Sequence, residues 1–314
     1  MKSKKPAIFA DTCYTTGTDV SINELLSYKQ QAKVQLQLKS SVAYQQLAGN
    51  YLGDIKGRGM EFAEVRHYQA GDDVRAIDWS VTARTGKAHT KLFQEEKERP
   101  TFILLDLSDS MIFGSQFAFK SVQASHLAAL LSWQAKQRND RLGGIIFNQA
   151  HSVELKATAR TKGLMRFIEQ VQQHCVSQPF KSISTTQSLS EQLKRLSHMV
   201  QTGSQVHLIS DFSQLDENCQ KLLNQIRHHN QLSIWQITDP LELILPATAN
   251  KIPLKVSSLY GSGFFKQKDA LLKYQHAATE RLVSIANTFT TLGMPVHQIS
   301  ASTSLLEQFN ARPR

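Results

Sequence analysis

Thr101–Met111 reads TFILLDLSDSM, and the fold turns on this stretch. Phe102, Ile103, Leu104 and Leu105 form the short apolar run that a strand buried on both faces requires. The run ends on Asp106-Leu107-Ser108-Asp109-Ser110. Past Gly114 a helical pattern covers Phe117–Gln137, with Val122, Leu127, Leu130, Leu131 and Trp133 at its apolar positions. Strand, polar turn, helix is the unit in which α/β proteins place ligands, at the carboxyl end of a parallel strand. On such a turn Asp106, Ser108 and Ser110 can bring one carboxylate and two hydroxyls to one point. Hard oxygen ligands of this kind suit Mg²⁺ or Mn²⁺ better than zinc or copper.

Downstream, strands and helices alternate. Arg141–Phe147 and Ser152–Leu155 read as strands joined by a tight turn at Asn148-Gln149, and Leu164–His174 and Leu189–Val200 read as helices. Gln205–Asp211 (QVHLISD) is a second buried strand that ends on an Asp. A helix over Leu215–His229, a strand over Leu232–Thr238 and an edge hairpin over Leu241–Ser258 follow. Ala270–Leu292 is a long helix, Pro295–Ile299 a last strand and Thr303–Phe309 a terminal helix. This alternation specifies an α/β protein with a mostly parallel sheet covered on both faces.

Upstream, residues 1–20 read as a mobile lead-in. Ser21, with Glu24 three residues on, then opens a helix through a capping box. Val34, Leu36 and Leu38 alternate as a short strand would, and Gly53, Gly57 and Gly59 mark a loop with neither a dinucleotide fingerprint nor a Walker pattern. Over 60–99 three β segments are expected: MEFAEVRHYQ, AIDWSVTAR and AHTKLFQEEKE. Asp72, Asp73 and Asp78 in this region admit two readings. They could hold a metal in a hydrolase, or form a lattice with Arg66, Arg75 and Arg84 that fixes the turns. The lattice is favoured, because each Asp has an Arg nearby in sequence.

The 314 residues, 41% hydrophobic and 20% charged, have the composition of a globular protein. The formal net charge of +10 favours acidic partners, but the basic residues are scattered and form no nucleic-acid-binding block. Cys13, Cys175 and Cys219 are odd in number and far apart, which argues against a disulfide framework and for a reducing compartment. The N-terminus lacks a sustained apolar segment, and no stretch approaches the roughly 20 apolar residues of a membrane span. A cytoplasmic location is expected. Neither a Gly-x-Ser-x-Gly elbow nor a His-Glu-x-x-His pair is present.

The stretch GRGMEFAEVRHYQAGDDVRAIDWSVTARTGKAHTKLFQEEKERP followed by TFILLDLSDSM resembles the family named only as domain of unknown function 58 (DUF58), from about Leu47 to Asn148. The segment HLISDF is similar to the same family's next metal-proximal strand. The resemblance implies a bacterial cytoplasmic protein whose second half is a von Willebrand factor A-like, doubly wound domain preceded by a smaller β-rich region. It implies a division into 1–39, a lead-in and helix; 40–100, the β-rich motif region; and 101–314, the α/β domain. Many members carry membrane-spanning helices ahead of the motif, and this sequence resembles the shorter subgroup without them.

The resemblance further implies a metal-ion-dependent adhesion site with ligands from three loops. Asp106, Ser108 and Ser110 match the first loop and Asp211 the third. The second should supply a Thr just before a helix, but Gln187 stands there, with Thr185 and Thr186 one or two residues early. Either the loop slips so that Thr186 reaches the metal, or the site is weakened. The expected protein is a non-enzymatic, co-chaperone-type interaction protein that binds Mg²⁺ or Mn²⁺ weakly. Its expected partner is a MoxR-type AAA+ ATPase, with which it assembles or matures a client complex; the alternative is the hydrolase.

Overall fold

The computed structural model describes residues 13–32, 60–69, 71–95, 99–175, 187–243, 254–258, 261–265 and 268–310. The expected strand at Val34–Leu38, the glycines 53, 57 and 59, and Thr185 and Thr186 lie outside them. The chain divides into two compact units, residues 1–38 with 99–314 and residues 39–98.

The first unit is built on a six-stranded, mostly parallel sheet. Its strands are β3 (Pro100–Leu107), β4 (Arg141–Asn148), β5 (Ser152–Thr158), β6 (Gln205–Ser210), β7 (Gln231–Thr238) and β10 (Val296–Ser300), in the order β10-β7-β6-β3-β4-β5. Only β5 runs antiparallel. The Asn148 side-chain oxygen accepts the N–H groups of Ala150 and His151 in the turn that brings β5 back beside β4. β3 is hydrogen-bonded to strands on both edges, which is why its residues 102–105 are apolar without alternation.

Helices cover both faces. One apolar cluster joins the sheet to α3 (Lys120–Gln137) and α4 (Thr161–His174); the other joins it to α5 (Leu189–Met199), α6 (Glu217–Arg227) and α8 (Lys268–Thr291). α3 is buried nearly all round, because α1 (Ile22–Gln31) lies over its outer side. α1 starts at the expected capping box of Ser21 and Glu24. Residues 13–20 differ from the mobile lead-in expected of them. Tyr14 is buried, its hydroxyl donates to Gln123 Oε1 at 2.5 Å, and its ring stacks on His126. The buried Tyr14 and Val20, with the Thr15 N–H donating to Glu24 and the Gly17 carbonyl accepting from the Phe119 N–H, fix an otherwise polar segment.

At its described ends, the expected hairpin over Leu241–Ser258 also departs from expectation. A helical turn, α7 (Pro240–Leu243), follows β7. β8 (Leu254–Ser258) pairs instead with β9 (Gly261–Phe265) in a separate two-stranded sheet. α9 (Leu305–Asn310) closes the unit.

In the second unit, β1 (Met60–His67) pairs antiparallel with β2 (His89–Glu95). The expected middle strand is instead a 3-10 turn, Val74–Ala76, and a short helix, α2 (Trp79–Thr85). Ile77, Val81 and Thr82 suggest a strand, but the ends decide otherwise. Asp78 accepts from the N–H groups of Ser80 and Val81, and Gly86 ends the helix at φ 70°, where glycine carries no Cβ penalty. The arginine lattice is correspondingly smaller than expected. Asp72 pairs with Arg66 at 2.6 Å, but Asp73 caps the 3-10 turn through the Arg75 backbone and Asp78 pairs with Lys91. The Arg75 side chain is exposed and forms no ion pair among the described residues. Asp78→Ala should therefore speed hydrogen exchange of the 80–86 amides severalfold, and Arg75→Ala should leave it unchanged. Equal exchange in the two variants would show that the cap does not hold α2.

Candidate functional site

β3 and β6 run side by side in parallel, with Leu105 level with Ile209, so Asp106 and the Ser210-Asp211 pair leave the sheet at one edge. Chain order reverses here: β4 lies on one side of β3 and β6 on the other. The carboxyl ends of strands at such a switch point open into a crevice. Asp106 is buried, its Oδ1 accepting from the Ser108 N–H at 2.9 Å and its Oδ2 from the Ser210 hydroxyl at 2.6 Å. Ser108 Oγ lies 3.3 Å from Ser110 Oγ, and Ser213 Oγ donates to Ser110 Oγ at 3.2 Å.

The loop after β6 bends sharply. Phe212 sits in the left-handed region at φ 55°, a strained conformation for a bulky side chain, and its buried ring packs edge-on against Phe289. Across this reversal the Ser213 N–H donates to Asp211 Oδ1, while the Ser213 hydroxyl reaches Ser110.

Asp106, Ser108, Ser110 and Asp211 thus lie together at one end of the sheet, linked through Ser210 and Ser213. Thr186 lies outside the described residues. Gln187 accepts from Gln192 Nε2 at 2.8 Å through its side-chain oxygen. Ser210, Ser213, Lys120 and Glu242 escaped the sequence reading. The available signals were a serine on each side of Asp211 and a single lysine opening a helix that is otherwise buried.

Lys120, the first residue of α3, is fully buried. Its ammonium donates to Asp211 Oδ2 at 2.8 Å and to Glu242 Oε1 at 2.6 Å. Glu242 Oε2 accepts from the Asp239 N–H, and the Asp239 carboxylate accepts from the N–H and hydroxyl of Ser115. Burial works against every charge here. Burial and the neighbouring Asp211 charge push the Asp106 carboxyl up to about 6. Burial opposes ionisation of Asp211 too, but Lys120 overrides it and holds that carboxyl down to about 2. For Lys120 itself, burial favours the neutral amine, and the Asp211 and Glu242 carboxylates more than reverse this.

Among the described residues no three His, Cys, Asp or Glu side chains gather as a metal-binding group. A cation at the crevice would rest on hydroxyls as much as on carboxylates. The hydroxyl spacings fit that role, since oxygens at roughly 2.1 Å from an octahedral Mg²⁺ stand about 3 Å apart.

Residues 64–254 match the family described as protein of unknown function DUF58. The uncharacterized proteins Rv1480 of Mycobacterium tuberculosis and Mb1516 of Mycobacterium bovis are each 26% identical to the chain over 250 residues, 80% of this chain and 77% of theirs. YeaD of Bacillus subtilis, also uncharacterized, is 38% identical over 69 residues, 22% of this chain and 17% of its own. Similar solved structures include the conserved hypothetical protein BatB of Bacteroides thetaiotaomicron, with a TM-score of 0.42 and 14% identity over 68% of this chain and 94% of that one. An aerotolerance-related membrane protein of Bacteroides fragilis superposes with a TM-score of 0.40 and 13% identity over 68% of this chain and 96% of that one. No described helix of the present chain is long and apolar enough to cross a membrane.

The raised Asp106 carboxyl makes stability depend on pH. Below the ordinary value of 3.8 the folded and unfolded chains are both protonated and the contribution is fully present. Between that value and about 6 the unfolded chain ionises freely while burial holds the folded chain's carboxyl protonated, so stability falls across this window. Asp106→Asn stays neutral. With chelator present it should melt above the parent at pH 7.5 and approach it near pH 4. A gap that stays constant over that range would mean that Asp106 ionises without penalty.

Proposed function

The chain belongs to the DUF58 family, and from the oxygen cluster at its switch point we propose that it is a non-enzymatic interaction protein whose α/β unit is a von Willebrand factor A-like domain. The observation that carries this reading is the convergence of Asp106, Ser108 and Ser110 with Asp211 between β3 and β6. Those four side chains would hold Mg²⁺ or Mn²⁺, with Thr186 supplying a further hydroxyl. A hard divalent ion whose shell the protein leaves incomplete supplies a Lewis-acidic position for a carboxylate from a partner. The surrounding residues prepare that position. Ser210 and the Ser108 N–H aim the Asp106 carboxylate, and the Ser213 N–H aims Asp211.

The partner is a MoxR-type AAA+ ATPase, taken from the family resemblance, and the two act in the assembly or maturation of a client complex in the cytoplasm. A net charge of +10 suits an anionic partner face. The hydrolase reading draws less support, because Asp72, Asp73 and Asp78 are each engaged in holding a turn or a helix start.

Calorimetric titration tests the metal. The parent should bind Mg²⁺ or Mn²⁺ weakly and gain about 2.7 kcal/mol of stability when metal exceeds its dissociation constant a hundredfold, and Asp106→Ala should lose both effects. Sedimentation with a MoxR-type ATPase, nucleotide and Mg²⁺ should show a complex that Asp106→Ala weakens. Identical flat titrations for the parent and the variant would sink the adhesion-site reading; a complex indifferent to the variant would move the contact elsewhere.

A further inference from the structure

Lys120 reaches the crevice from the start of α3, and its ammonium is wholly removed from solvent. Such a group stays charged only through the carboxylates that face it. Asp211 and Glu242 are those carboxylates, at 2.8 Å and 2.6 Å. They are not equivalent. Asp211 is almost fully buried and belongs to the oxygen cluster, whereas about a third of the Glu242 side chain is exposed and lies on α7. Asp211 is therefore claimed from two sides, by Lys120 and by any cation resting on Asp106, Ser108 and Ser110. Two cations close to one buried carboxylate repel strongly, because little solvent screens them.

We infer that Lys120 is a resident counter-cation that competes with a divalent ion for Asp211, so that the crevice alternates between a lysine-held and a metal-held state. Lys120 keeps Asp211 neutralised in the first state and in the second withdraws to Glu242 alone. The exchange reaches beyond the crevice. Glu242 also accepts from the Asp239 N–H, and Asp239 holds Ser115 in the loop after β3. Loading of the crevice is thereby passed to the loops after β3 and β7, which flank the position a partner would meet.

The inference rests on the metal reading proposed above, and its test separates the two. Mn²⁺ binding is measured by calorimetry for the parent, Lys120→Met and Glu242→Gln, with circular dichroism to confirm the fold. Lys120→Met should bind Mn²⁺ about tenfold or more tightly than the parent and melt lower without metal. Glu242→Gln removes the second seat, ties Lys120 to Asp211 and should weaken binding severalfold. A parent that binds nothing beside a Lys120→Met that binds would uphold the competition while overturning metal loading of the natural chain. Equal or weaker binding by a folded Lys120→Met would overturn the competition and leave the metal reading standing. Silence from all three proteins would overturn both. If Lys120→Met fails to fold, Glu242→Gln decides: weaker binding than the parent supports the inference, and unchanged or tighter binding overturns it.

Discussion

A single buried ammonium fastens the carboxyl edge of the sheet. Lys120 opens α3 with its backbone N–H on Phe113 O, in the loop after β3, and its side chain spans to Asp211 after β6 and Glu242 after β7. Three loops from three neighbouring strands are therefore held by one residue. Desolvating an ammonium is costly, and removing one partner of such a group typically costs 3–5 kcal/mol, about as much as a large core truncation. A lysine here contributes less to net stability than to fixing which loop meets which. The strained Phe212 conformation depends on the same arrangement, since the carboxylate next to it is anchored on both oxygens.

The polar side chains of α3 follow the same logic. A helix with apolar surfaces on both sides has no solvent to offer them, so most find a partner within the protein. Ser125 and Ser132 return to carbonyls one turn back, Gln123 takes the Tyr14 hydroxyl and donates to Ser300 O and Thr303 O, and Tyr28 meets His126. The Trp133 indole donates to Leu25 O on α1. These bonds explain how a second layer, α1 over α3, can cover one face of the sheet without an apolar stripe of the usual kind.

The sheet could be read from the chain because its strands are short apolar runs separated by helix-length segments, most of them with a clear apolar period. Residues 102–105 and 205–210 declare burial on both faces without help from any partner. The placement of Asp106, Ser108, Ser110 and Asp211 at the sheet's carboxyl end was legible for the same reason, since polar residues directly after such strands have only the sheet edge to occupy. Elsewhere two local signals competed. At Asp78–Gly86 the caps outweighed β-branched residues, which only tertiary context could have decided. Lys120 and Glu242 were invisible because their meeting joins residues 122 positions apart and leaves no periodic trace. Tyr14 was hidden too, its partner Gln123 lying 109 residues downstream.

That last separation bears on how the polypeptide comes off the ribosome. The N-terminal layer of the first unit is made before everything it rests on, and the second unit is threaded between the two parts of the first. α1 emerges roughly 90 residues ahead of α3, and the carbonyls of Ser300 and Thr303 that share Gln123 with Tyr14 come 177 and 180 residues after Gln123. At about 5–20 residues per second, that leaves Leu25 and Tyr28 without their docking surface for seconds, and the finished arrangement for up to about a minute. Pairings this distant also slow folding once synthesis ends, because loop closure comes before any contact rewards it. During that interval Leu25 and Tyr28 stay exposed on a segment too short to hold a helix alone, the kind of apolar surface that holdase chaperones cover.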